Sequence, residues 1–326
     1  MPGWRGDGNK VSKSDQGTNK NAKPMTADHY YNKYGADLVR LWVSSVDYQN
    51  EVPFSEELFE QATRSYRSIR NTLRVLLGNL NGFDVKQHAV TADKFTLLDR
   101  WILEKLNGLI KDCREAYEAY DFRKVYGALN NFCTVELSQL YIDITKDRLY
   151  CDRTDSTRRR ATQTVMHCIT ETLCRLLAPI LAFTADETWE FLGHAGSVHL
   201  EKFPEGLRGE SEATGAIEEM LQVRSVIQQA IEKARQEKRI GSNLEAAVEV
   251  TLPASKFTNA VFSEQATLEE FFILSVLTIK RVPGDELSAV VVESPHQKCG
   301  RCWKHLPSVG KRSHADLCDR CEEAVS

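Results

Sequence analysis

The chain has 326 residues, of which 42% are hydrophobic and 27% are charged, and its formal net charge is -4. This composition is globular, and the charge excludes a polycation that coats nucleic acid without selection, so any basic site has to be local. The longest apolar run, residues 173–185, is interrupted by Arg175 and is shorter than the roughly 20 residues of a membrane span. Because no apolar signal segment opens the chain either, we expect a cytoplasmic protein without membrane contact. We also expect a monomer.

The first two thirds of the chain predict loops and helices. Residues 1 to about 26 are polar and lack an apolar period, which predicts a loop. A short helix closed by Gly35 and an apolar element up to Ser45 follow. Four amphipathic helices come next, because apolar residues recur at steps of three and four from Leu58, Leu98, Phe122 and Val165. Pro179 breaks the fourth, and Thr184-Ala-Asp-Glu187 has the pattern of a capping box that starts one more. This region predicts a helix bundle.

The C-terminal third changes character. Residues 217–238 predict another helix, whereas "AAVEVTLP" and "SAVVVES" have the composition of strands, so we expect a small α+β domain. The predicted fold class is therefore mainly α: a helix bundle, then a small α+β domain, then a C-terminal four-cysteine ribbon. The expected domains are residues 1–45, the bundle at 46–200, the α+β domain at 216–293 and the ribbon at 294–326.

The strongest chemical pattern is two Cys-x2-Cys pairs separated by fifteen residues: Cys299, Cys302, Cys318 and Cys321. Two residues between thiolates let one tight turn point both sulfurs at one ion, and two such turns complete the tetrahedron that Zn2+ prefers. Four thiolates leave no open position, so we predict one structural zinc ion in a module too small for its own core. The alternatives are two disulfides, a redox Cys-x2-Cys, or His305 or His314 in place of one cysteine.

The other five cysteines stand singly in or beside helical patterns: Cys113, Cys133, Cys151, Cys168 and Cys174. An odd total of nine scattered cysteines does not indicate a disulfide framework. No neighbouring base or second cysteine marks any of the five as reactive, so we expect small, buried, apolar side chains.

Two basic features are candidates for RNA contact. In the ribbon, Arg301 and Lys304 flank Trp303, and positive charge beside a stackable ring suits an unpaired base and its phosphates. The alternative is that Trp303 packs under the ribbon as its hydrophobic anchor. On the first bundle helix, four arginines fall within about a third of the circumference, beside the apolar stripe: Arg64, Arg67, Arg70 and Arg74. Such a strip either contacts an RNA backbone or is a solvated face.

A short motif near the N-terminus connects these features. Lys10-Val-Ser-Lys-Ser14 is a one-residue variant of the KMSKS signature of class I aminoacyl-tRNA synthetases, with Val11 in place of Met. "KYGADLVRLWVSSVDYQNE" resembles the segment that follows this signature in the isoleucyl, valyl and leucyl enzymes, and "LAPILAFTADETWEFL" and "SVHLEKFPE" resemble the end of their anticodon-binding bundle. "EKARQEKRIGSNLEAAVEV" and "KCGRCWKHLPSVGKRSHADLCDRC" are similar to the isoleucyl enzymes, so the resemblance covers nearly the whole chain.

The resemblance implies ATP-dependent attachment of isoleucine to its tRNA, with the bundle as an anticodon-binding domain. It also implies that Lys13 contacts the phosphates of ATP, because a mobile ammonium meets the charge that develops on departing pyrophosphate. Lys10, Ser12 and Ser14 would support that loop, although the stretch that follows Ser14 is longer than the family generally has. The expected partner is the isoleucine tRNA, with ATP and isoleucine as substrates of the intact enzyme only.

Other parts of such an enzyme are not found in this sequence. It contains no HxGH motif, no parallel-sheet pattern that could hold a nucleotide, and no room for an editing domain. We therefore expect the C-terminal part of an isoleucyl enzyme, catalytically inactive by itself. One alternative is a free-standing tRNA-binding protein derived from a synthetase. Another is a zinc-finger DNA glycosylase of the formamidopyrimidine type, which fits Pro2 and the ribbon but not the long helical middle.

Overall fold

The computed structural model describes residues 4–5, 26–50, 52–54, 56–206 and 213–326. The predicted ATP-loop residues lie outside this part of the chain: Lys10, Ser12, Lys13 and Ser14. Among the described residues, no helix is both long and apolar enough to cross a lipid bilayer. The described fold is mainly helical with a small three-stranded sheet near the C-terminus, which confirms the predicted fold class.

Helices make up most of the described chain. In chain order they are α1 (Ala27–Tyr34), α2 (Ala36–Ser45), α3 (Glu56–Asn79), α4 (Val85–His88), α5 (Leu97–Glu118), α6 (Phe122–Asn131), α7 (Asp143–Cys151), α8 (Thr157–Leu177), α9 (Ala182–Phe191), α10 (Ala213–Gln236), α11 (Gln265–Phe272) and α12 (Asp319–Glu323). A π-helical segment, Phe132–Ile142, joins α6 to α7, so the helical backbone is continuous from residue 122 to residue 151. The four predicted bundle helices correspond to α3, α5, the run from α6 to α7, and α8.

The strands are β1 (Trp4–Arg5), β2 (Pro53–Phe54), β3 (Ala246–Pro253), β4 (Val276–Val282) and β5 (Ser288–Glu293). The backbones of β1 and β2 form a short parallel pair. In the larger sheet β3 is central: it pairs in parallel with β4, with Val250 opposite Ile279, and antiparallel with β5, with Val248 opposite Val291. Helix α10 packs against this sheet, as the predicted α+β composition requires.

Each of two compact units is assembled from separate stretches of the chain. Unit 1 comprises Met1–Phe83, Lys105–Gln139 and Val165–Arg208, and unit 2 comprises Asp84–Glu104, Leu140–Thr164 and Gly209–Ser326. In unit 1, buried Phe59 lies at the centre of an aromatic cluster. Its ring centroid is 4.9 Å from that of Tyr30, 5.5 Å from that of Tyr34 and 4.8 Å from that of Trp42, and these stacked contacts fix α3 against α1 and α2.

The start of helix α9 is stabilised from another helix. The predicted capping box places this start at Thr184, but α9 begins at Ala182, and its N-cap residue makes no side-chain cap. Instead, buried Asp37 of α2 accepts hydrogen bonds from the backbone N–H groups of Phe183 at 3.2 Å and Thr184 at 2.7 Å. A carboxylate at this position satisfies orphan amides and complements the helix dipole, so the predicted box is wrong and a residue distant in sequence replaces it.

A buried arginine holds unit 2 together. Arg148 of α7 is 3% exposed, and its Nε and Nη2 donate to the two oxygens of Glu270 in α11 at 2.5 and 2.9 Å. Its Nη1 donates to Asp99 at 3.2 Å, and also to Thr96 and Thr162. Every guanidinium nitrogen of Arg148 is therefore matched to an oxygen, which a charge removed from water requires.

Candidate zinc centre and nucleic-acid interface

Four thiols meet in the C-terminal module. The Sγ atoms of the predicted ligands all lie within 4.8 Å of one another, and each of these cysteines is buried: Cys299, Cys302, Cys318 and Cys321. Neither alternative histidine belongs to this cluster. Nδ1 of His305 lies 3.0 Å from the carbonyl oxygen of His296, and Nδ1 of His314 lies 3.9 Å from Glu322. The geometry therefore favours a four-sulfur centre, which suits tetrahedral Zn2+.

Tight turns and two glycines allow the thiols to converge. The N–H of Trp303 donates to the carbonyl of Cys299 at 3.0 Å, which closes the first Cys-x2-Cys turn. A Cβ at Gly300 would lie 2.9 Å from a carboxylate oxygen of Asp316. Gly310 has a φ of +74°, and a Cβ there would lie 2.8 Å from the carbonyl oxygen of Ala315. At Gly310 the backbone conformation and the close backbone oxygen both require glycine, whereas at Gly300 the side chain of Asp316 would have to move.

Little other than sulfur fills the centre of this module. Its buried cluster consists of the four predicted ligands with Cys151, Val309 and Leu317, and Leu306 packs against it. Two or three aliphatic side chains bury too little apolar surface to order some thirty residues, because each ordered residue costs about 1–2 kcal/mol of backbone entropy. Structural zinc contributes about 10–16 kcal/mol in zinc-finger peptides, so the residues present fit a metal that stabilises the module outright.

A fifth thiol lies against the four-sulfur cluster. Cys151, the last residue of α7, is buried in this cluster, and its contact with Cys321, together with burial, raises its pKa. From its sequence context Cys151 is predicted to be a single apolar cysteine, and no local pattern indicates its proximity to thiols 148 or more residues away. The expectation holds for Cys113 and Cys133, because burial raises the pKa of each thiol to about 12 and keeps both protonated.

Two arginines of the module dock it on α7 within unit 2. The guanidinium of Arg301 donates to the carbonyl oxygens of Tyr150, at 3.2 Å, and Cys151, at the C-terminal end of the helix, where a cation also complements the helix dipole. Arg320 binds both carboxylate oxygens of Asp147, one of them at 2.7 Å. Burial alone would raise the pKa of Asp147, but the pairing with Arg320 outweighs it and holds that pKa below its usual value.

Trp303 stands at the surface beside a cavity. Its side chain is 62% exposed, so it does not serve as a buried anchor under the ribbon. Its backbone is left-handed, with a φ of +64°. Nζ of Lys298 lies 5.4 Å from the ring centroid. Trp303 borders a cavity of about 470 Å³ in unit 2, which Lys146, Tyr150 and Lys304 also line. An aromatic face, two ammonium groups and a largely apolar concavity are the elements that bind an unstacked base and its phosphates.

The arginine strip on α3 lies in unit 1, on the surface opposite the buried apolar residues. Its four members are all exposed: Arg64, Arg67, Arg70 and Arg74. Arg70 differs from the others because its Nη2 lies 2.7 Å from Glu187 of α9. The structure therefore keeps the predicted strip on one exposed face, while Arg70 and Arg301 already have partners within the fold.

Comparison with known proteins gives these features a context. Residues 99–251 match the anticodon-binding domain of tRNA ligase, and residues 297–324 match the zinc finger found in FPG and IleRS. The isoleucine–tRNA ligase of Methylacidiphilum infernorum is 42% identical over 323 residues, which cover 97% of this chain and 34% of that ligase. Those of Syntrophotalea carbinolica and Geobacillus kaustophilus are each 39% identical, over 97% and 98% of this chain and 35% and 36% of the ligases. By sequence, nearly the whole chain is similar to a part of isoleucine–tRNA ligases.

The chain spans about a third of the length of these isoleucyl-tRNA synthetases and corresponds to their C-terminal region. The zinc-finger match alone does not distinguish a synthetase from a glycosylase, because that finger occurs in both. The similarity that extends over nearly the whole chain favours the synthetase. The matched zinc finger and the four clustered cysteines support one structural zinc site.

We predict that Cys318→Ser removes the structural zinc of this isoleucyl-type module and unfolds it. Reconstitution with Co2+ should then lack the intense thiolate-to-cobalt absorption of the wild-type protein, and backbone amides of residues 296–326 should lose hydrogen-exchange protection. Cys168→Ser is the matched control, since Cys168 lies in unit 1, outside the four-thiol cluster. Full cobalt–thiolate absorption in the Cys318 variant would contradict the four-sulfur site.

Proposed function

We propose that this chain is the C-terminal portion of an isoleucine–tRNA ligase and that it contributes tRNA binding to the ATP-dependent attachment of isoleucine to its tRNA. The observation that carries this proposal is the similarity to isoleucine–tRNA ligases over 97% of the chain, with an anticodon-binding domain at residues 99–251. We assign the bundle to residues 46–200, the α+β domain to 216–293 and the ribbon to 294–326, with residues 1–45 next to the catalytic region of the ligase.

Trp303 and Lys304 form the first tRNA contact in this proposal. An unpaired base stacks on the exposed indole, and its phosphates meet Lys304 and the ammonium of Lys298. Arg301 supports this contact indirectly, because its guanidinium fixes the module on the carbonyl end of α7. Stacking accepts any base, so this contact supplies affinity, and discrimination between tRNAs has to come from elsewhere on the bound surface.

The arginine strip of α3 forms a second contact, with the tRNA backbone. Arg64, Arg67 and Arg74 are exposed along one face of a rigid helix, and such a row of guanidinium groups matches successive phosphates. Arg70 contributes mainly to the positive electrostatic potential of this surface, because its ion pair with Glu187 occupies part of its guanidinium. These contacts make binding dependent on salt, since each neutralised phosphate releases counterions.

The loop Lys10 to Ser14 acts on ATP in this proposal. Lys13 meets the charge on the departing pyrophosphate, and Lys10, Ser12 and Ser14 hold the loop near the phosphates. Isoleucine and the remaining part of ATP bind to regions of the ligase that correspond to the other two thirds of the relatives' length.

The second candidate function is a free-standing tRNA-binding protein, which the match to an anticodon-binding domain supports equally.

We predict that Trp303→Ala weakens binding of isoleucine tRNA by about 5- to 150-fold, because stacking of one base on an aromatic ring contributes about 1–3 kcal/mol. Fluorescence anisotropy of labelled tRNA at fixed salt measures the effect. Trp303→Phe is the matched control, because it keeps a stackable ring and should keep most of the affinity. Unchanged binding in the alanine variant, with intact cobalt–thiolate absorption, would contradict the contact at Trp303.

We also predict that the purified chain does not catalyse isoleucine-dependent exchange of pyrophosphate into ATP. Adenylate formation requires a pocket in which the ATP phosphates meet Lys13, and we propose that this pocket belongs to the rest of the ligase. Incorporation of labelled pyrophosphate into ATP is the measurement, with full tRNA binding as evidence that the sample is folded. Exchange that depends on isoleucine and disappears in Lys13→Ala would show that the chain is catalytic by itself.

A further inference from the structure

Three side chains that commonly bind metals meet in unit 1, in a position that the proposed function does not use. His167 and Glu171 are one turn apart on α8, and His194 follows Gly193, whose left-handed backbone has a φ of +86°. One ring nitrogen of each histidine and one carboxylate oxygen all lie within 4.8 Å of one another. The cluster therefore combines a helix face with the loop after α9.

The distances within the cluster suit a shared ion. Nε2 of His194 lies 2.8 Å from one carboxylate oxygen of Glu171, and Nδ1 of His167 lies 3.6 Å from the other. Ligands of a tetrahedral zinc ion with bonds of about 2.0–2.2 Å are about 3.3 Å apart. The two observed separations lie on either side of this value, so small side-chain rotations bring all three groups to one ion.

His194 supplies a second, independent observation. Its Nε2 is buried and makes no hydrogen bond of acceptable angle with any described residue, although the oxygen of Glu171 is near. The imidazole is held by Trp189, whose ring stacks on it at 3.8 Å between centroids with an interplanar angle of 15°. This buried nitrogen is close to the Glu171 carboxylate without a well-aligned hydrogen bond to it, and an ion at the centre of the cluster would bind both groups.

We propose that His167, Glu171 and His194 form a second metal site, which binds Zn2+. Two imidazoles and one carboxylate favour zinc, whereas Mg2+ and Ca2+ prefer oxygen ligands throughout. Three protein ligands leave one position for water, unlike the closed centre of four thiolates. The side chains are 13%, 24% and 31% exposed, for His167, Glu171 and His194 in that order, so an ion has access to the site and exchanges more readily than the thiolate-bound one.

The test is the zinc stoichiometry of the purified full chain. The protein is stripped of metal under reducing conditions and titrated with Zn2+ against a chromophoric chelator, and a parallel titration uses Co2+. The wild-type chain should bind two equivalents, the second at least tenfold more weakly, and the second cobalt ion should add weak absorption without a thiolate charge-transfer band. Glu171→Gln should lose the second equivalent and keep the first, because it removes the anionic ligand while preserving the shape of the side chain.

Controls separate this site from stray binding. His199→Ala, an exposed histidine outside the cluster in the same unit, should retain both equivalents. His194→Asn tests the same site if Glu171→Gln lowers helix content, and it should also bind one equivalent. A single equivalent in the wild-type chain would overturn the proposal and leave the contact between His194 and Glu171 as a simple ion pair. Two equivalents in a folded Glu171→Gln variant would overturn it as well.

Discussion

The organisation of unit 2 depends on one buried guanidinium. Arg148 is 3% exposed, and a charge in this environment is tolerated only when every donor has a partner. Glu270 takes two of its nitrogens and Asp99 the third, and Tyr141 in turn donates to Asp99 at 2.6 Å. These partners come from stretches 42 to 122 residues apart, so the requirement of a single side chain fixes α7, α11 and the first turn of α5 in one arrangement.

The zinc module and the proposed tRNA contact follow from this arrangement. Arg301 and Arg320 attach the module to the exposed end of the same helix that carries Arg148, at Tyr150 and Asp147. The cavity beside Trp303 is lined by residues of α7, the C-terminal end of α11 and the module, so it exists only while all three keep their places. Zinc shapes the turn that presents Trp303, and the arginine network sets the surface against which a base would stack.

Patterns within a single helix or motif predict much of this fold, but they do not predict contacts between elements that are distant in the sequence. The apolar period of α3 and the spacing of the four ligand cysteines each lie within about twenty residues of sequence. The helix and the thiol cluster that they predict are both confirmed. No such pattern indicates that Asp37 caps α9, that Cys151 joins the thiol cluster, or that Arg301 docks the module, because each partner is 146 or more residues away. His194 is only 23 residues from Glu171, but its approach depends on the turn that follows α9, which no periodic pattern indicates. Long-range pairing is decided by packing, which a single sequence does not display.

The Arg148 network holds α7, α11 and the zinc module together as one body. Hydrogen exchange of the zinc-loaded Arg148→Ala variant, resolved by peptide, measures this coupling. Removing one partner of a buried ion pair costs about 3–5 kcal/mol, so amides in α7, in α11 and in residues 296–326 should lose protection together by about that amount. Arg235→Ala, which removes an exposed arginine paired with Glu232 on α10, should change protection by less than about 1 kcal/mol. A zinc module that keeps its full protection while α7 and α11 lose theirs would contradict the account.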